Sequence, residues 1–110
     1  MFLRAGLREA ITLVASNPPD TILNMVLKFV TATVEFLAPS EEGLNELPID
    51  VLENRRESLQ GLRTIVNETI SETDTFNERS LWLRLVTLRN LNNKKIALLT
   101  RVIGDGELKQ

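Results

Sequence analysis

The chain has 110 residues, enough for one domain that buries its own core, and its hydrophobic (43%) and charged (25%) fractions suit a globular fold. It contains no Cys, His or Tyr, which excludes disulfides, thiolate or imidazole catalysis and Cys/His metal centres. The net charge of −2 is unevenly spread: residues 1–34 carry +1, residues 35–78 carry −8 and residues 79–110 carry +5, so the acidic middle and basic end either attract each other or direct the basic end at nucleic acid.

The first predicted helix covers 2–16, with Leu3, Leu7, Ile11 and Val14 on one face. Arg4 and Arg8 give it a faint mitochondrial-presequence character, which Glu9 and its short length weaken. The "NPPD" that follows is a helix start, with Asn17 as N-cap and Pro18 at the first helical position.

The second predicted helix covers 18–37, with Leu23, Val26, Val30, Val34 and Leu37 facing inward. Its "FVTATVEF" alternates like a half-buried strand. Helix is nonetheless expected, because no second strand candidate exists to pair with it and satisfy its backbone. Asn24, Lys28 and Glu35 interrupt the best apolar run, so no membrane span is expected.

"APSEEGLNELP", Ala38 to Pro48, reads as the longest connection and a candidate hinge, with room for a short helical turn. The third predicted helix covers 49–70, burying Leu52, Leu59, Leu62, Val66 and Ile70 and presenting Glu53, Arg55, Arg56 and Glu57 to solvent. Gly61 within it is costly in a helix and compatible with a close crossing.

"TFNE" is a capping box, Thr75 to Glu78, ahead of a fourth predicted helix over 76–103 that stops at Gly104; residues 1–104 form one domain and 105–110 a frayed tail. In this last helix Leu81, Leu85, Leu88, Asn92, Ile96, Leu99 and Ile103 recur in steps of four and three and fall within about 80° of the helix wheel. That seam, with Trp82 as an aromatic anchor beside it, is the expected interface, and Asn92 at its centre either fixes register or bonds water at its margin. Leu83, Val86, Leu91, Leu98 and Val102 lie off the seam and call for a second neighbour. Arg79, Arg84, Arg89, Lys94, Lys95 and Arg101 spread over the remaining arc without forming one basic stripe, and single-strand recognition would want more aromatic platforms than Trp82.

Glu41/Glu42 and Glu68/Glu72/Asp74 are expected to be solvated, since no calcium-type loop surrounds them, and "NET" at Asn67 falls inside a helix. The sequence therefore predicts an all-α, four-helix bundle-like domain that associates as a helical dimer. The expected function is a non-enzymatic protein-protein interaction module, an adaptor, assembly factor or small chaperone in the cytoplasm, with no cofactor or metal. The alternative is a small dimeric RNA- or DNA-binding protein of the viral regulatory or silencing-suppressor type, its phosphate contacts made by the six basic residues of the last helix.

Overall fold

A computed structural model describes residues 20–108. Among these residues four helices follow in order: α1, Asp20–Leu37; α2, Glu41–Asn45; α3, Ile49–Glu72; and α4, Arg79–Leu108. No strand occurs among the described residues. The first predicted helix, over 2–16, and the cap at Asn17–Pro18 lie outside them.

The strand-like alternation of residues 29–36 is overridden in α1. Thr33, buried on this helix, donates its hydroxyl to the Phe29 carbonyl at 2.9 Å, so a polar β-branched residue sits in the helix with its hydrogen bond made. Ser58 and Thr69 in α3 do the same toward Asn54 and Ile65. Val30, Val34 and Leu37 then enter the main core beside Leu52, Leu59, Leu62 and Val66 of α3 and Leu88, Ile96, Leu99, Val102 and Ile103 of α4. Leu23, Leu81 and Leu85 close its far end.

Helices α3 and α4 form an antiparallel hairpin, with Leu59 bonded to Asn92, Arg56 to Thr100, and Ile49 beside Gly106. α1 runs in the same direction as α4. Asn24 meets Arg84, Glu35 meets Lys95 and, beyond the helix end, Glu41 meets Arg101, so the two segments advance in step. The described chain measures 51 × 25 × 19 Å, and the 30 residues of α4, about 45 Å long, account for the long axis.

Three local expectations are corrected. The connection from Ala38 to Pro48 is a clamp rather than a hinge: Ser40 caps α2 by accepting from the Gly43 N–H at 3.2 Å, and Leu44 is fully buried in the main core. The cap before α4 is Asp74, not Thr75. Asp74 Oδ1 accepts from the N–H groups of Phe76 and Asn77 at 2.8 and 3.1 Å, while Glu78 reaches back to the Asp74 N–H at 3.3 Å. Finally, α4 does not stop at Gly104 but continues to Leu108. Burial of Val102 and Ile103 and the close approach of Gly106 to Ile49, 3.5 Å from where a Cβ would sit, hold this last stretch against α3 and offset the helix cost of two glycines.

Candidate interaction surface

The seam of α4 is used inside the chain. Leu81, Leu85, Leu88, Asn92, Ile96, Leu99 and Ile103 are all buried against α1 and α3, and Trp82 is half-buried. They hold the fold together and are covered before any second subunit arrives. Asn92 is 0% exposed; its Nδ2 donates to the Leu59 carbonyl at 2.9 Å, and its Oδ1 has no hydrogen-bond partner among the described residues. Of the off-seam residues, Val102 joins the core, Leu91 and Leu98 pack against it, and Leu83 stays exposed.

The six basic residues divide. Lys95, with a side chain only 12% exposed, pairs with Glu35 at 3.1 Å and donates to the Pro39 carbonyl at 3.4 Å. Arg101 pairs with Glu41 at 2.9 Å, and Arg84 donates to the Asn24 carboxamide oxygen. Arg79 and Lys94 are exposed and Arg89 is half-buried. Half of the positive charge expected to face phosphates is thus turned toward α1 and α2, and at these two ion pairs the acidic middle and basic end meet within one chain.

Positive charge also closes the end of α1. Arg55 donates to the Leu37 carbonyl at 3.1 Å and to the Phe36 carbonyl at 3.4 Å, and its guanidinium lies 5.6 Å from the centroid of the Phe36 ring. With Lys95 on Pro39, two cations from different helices satisfy carbonyls that a helix C-terminus leaves open.

The surface that the sequence reading missed is on α1. Ile22, Met25, Phe29 and Phe36 are 42, 66, 51 and 68% exposed. Their steps of three, four and seven place them within about 60° of the helix wheel, roughly 120° around from the buried Leu23, Val30, Val34 and Leu37. Ala32, also exposed, extends this outer stripe. Four large apolar side chains in a line about 21 Å long leave roughly 400 Å² of apolar surface open, the size of the largest apolar patch on a typical monomer, which is often functional.

A second feature adjoins this stripe on α1, sharing Ala32 with it. Asn24, Leu27, Lys28, Thr31 and Ala32 face Leu83, Arg84, Thr87, Leu88 and Leu91 of α4 across a groove of about 700 Å³.

Among the described residues no three Asp or Glu side chains gather as a metal site. The carboxyl of Asp74 is held below the usual carboxylate range by the N–H groups of Asn77 and Phe76, which is the signature of a helix cap. No described helix is long and apolar enough to cross a membrane. The chain matches no protein-family model, no curated protein sequence and no solved structure.

Proposed function

We propose that this chain is a non-enzymatic helical interaction module, an adaptor, assembly factor or small chaperone, that self-associates through the outer stripe of α1. The observation that carries the reading is the line of Ile22, Met25, Phe29 and Phe36, exposed on a helix that already buries a separate face, about 120° around, in the core. A helix apolar on two sides calls for cover on two sides, and the described chain covers one. Pairing two stripes across a twofold axis buries roughly 800 Å² of apolar surface, just short of the ~1,000 Å² of a specific interface. The dimer is therefore weak and responds to concentration.

A nucleic-acid surface has less support, since Lys95, Arg101 and Arg84 have partners within the chain and the remaining cations form no continuous stripe. Because the chain has no cysteine, one introduced thiol reports the contact cleanly. Ala32→Cys, treated with a short bis-maleimide, is expected to give a covalent dimer, and Gln60→Cys on the exposed side of α3 is expected not to. Equal cross-linking of the two variants contradicts the reading.

A further inference from the structure

The groove between α1 and α4 borders the outer stripe at Ala32 but has a different chemistry. Its floor is apolar, made by Leu27 of α1 and by Leu88 and Leu91 of α4. Its walls each carry a cation, Lys28 on α1 and Arg84 on α4, and the lining contains no carboxylate among the described residues. Arg84 spends one donor on Asn24, whereas a guanidinium has five. Each wall is about 12 Å long at 1.5 Å per residue, from Asn24 to Ala32 and from Leu83 to Leu91, which is two helical turns.

We propose that this groove receives an amphipathic acidic helix of a partner protein. Two parallel helices leave a furrow in which a third can seat an apolar stripe at i, i+3/i+4 and i+7. Cations on both walls select carboxylates on both flanks of that stripe. A helix supplies these together, whereas a single-headed amphiphile such as a fatty acid neutralises one wall. The chain's own Phe2–Ser16 offers one carboxylate, Glu9, against Arg4 and Arg8, so it lacks the complementary charge.

The test uses the full chain and two labelled synthetic 15-residue peptides with the same leucine stripe, one flanked by glutamates and the other by lysines, followed by fluorescence anisotropy. The glutamate peptide is expected to bind at least about tenfold more tightly than its lysine twin, with an advantage that shrinks as salt rises. The Lys28→Glu/Arg84→Glu double variant is expected to reverse the preference. If it unfolds by circular dichroism, Lys28→Gln, at an exposed position, replaces it and is expected to reduce the preference. Phe29→Glu on the outer stripe is expected to leave peptide binding unchanged, which separates this proposal from self-association. Equal binding of both peptides, binding of neither, or a preference that survives the charge changes overturns the proposal. Saturable oleate binding with no peptide binding also overturns it, assigning the groove to a small anionic amphiphile.

Discussion

The carboxamide of Asn92 on α4 binds the carbonyl of Leu59 on α3 at 2.9 Å, in the middle of the core and out of reach of solvent. This bond ties α4 to α3 at the centre of the hairpin and satisfies the donor side of a buried carboxamide. Its Oδ1 has no partner among the described residues, so the position carries the cost of a buried polar atom left without a hydrogen bond.

Asn92→Ala is expected to cost about 1–2 kcal/mol, since it loses the bond and opens a small cavity while also removing the orphaned oxygen. Asn92→Asp is expected to cost about 3 kcal/mol or more at neutral pH, because a buried carboxylate faces a carbonyl. Burial raises the folded-state pKa of such a group, so the penalty applies above that pKa and is relieved as the pH falls through it and the protonated acid donates to Leu59. Urea unfolding of both variants at pH 7 and pH 4 checks the order and the sign.

Leu44→Ala is expected to cost about 2–5 kcal/mol despite its place in a five-residue helix between two connections. Leu44 is 0% exposed, and its loss loosens the clamp formed by α2. A hinge residue would tolerate the change. Thermal melting distinguishes the two.

At the end of α1, Arg55→Ala is expected to cost about 1–2 kcal/mol, because two carbonyls lose a charged donor and the Phe36 ring loses its cation. Glu35→Gln is expected to cost less than about 1 kcal/mol, as its bridge to Lys95 is partly solvated and Lys95 keeps the Pro39 carbonyl. Arg55→Lys is expected to recover part of the loss, since an ammonium reaches one carbonyl and lacks the planar fork. Denaturant midpoints measured for the three variants rank these effects.

The pH dependence of the α4 cap follows from Asp74. Its folded-state pKa lies below the ordinary value of 3.8, so the ionised cap stabilises the fold above that pH. The contribution is lost as the pH falls through the folded-state value. Asp74→Asn is expected to show a flatter melting temperature between pH 5 and pH 2 than the wild type, in a pH series followed by circular dichroism.

Much of this was legible in the sequence, and the failures have physical causes. The four-and-three stepping from Leu81 to Ile103 marked the buried face of α4, because a periodic apolar stripe is what a helix needs in order to pack. Periodicity does not say whose surface covers it, and here the cover is α1 and α3 of the same chain. Thr75 matched the capping pattern, but the adjacent Asp74 is charged and accepts from two backbone N–H groups. Gly104 looked like a stop because glycine is a poor helix former, yet packing at Gly106 and Ile49 decides that end. The outer stripe was readable at Ile22, Met25, Phe29 and Phe36, but it is sparse between Phe29 and Phe36, and the alternation of "FVTATVEF" blurs the helical period there.

The most direct measurement is molar mass by light scattering of the wild type and Phe29→Glu across protein concentration. The wild type is expected to rise from the 12.4 kDa of one chain toward twice that value between about 5 and 500 µM. Phe29→Glu is expected to stay at the single-chain mass with an unchanged melting temperature, because Phe29 is 51% exposed and contributes little to the fold. A wild type that remains at the single-chain mass throughout, or a dimer that survives Phe29→Glu, contradicts the assignment of the α1 stripe as the self-association surface.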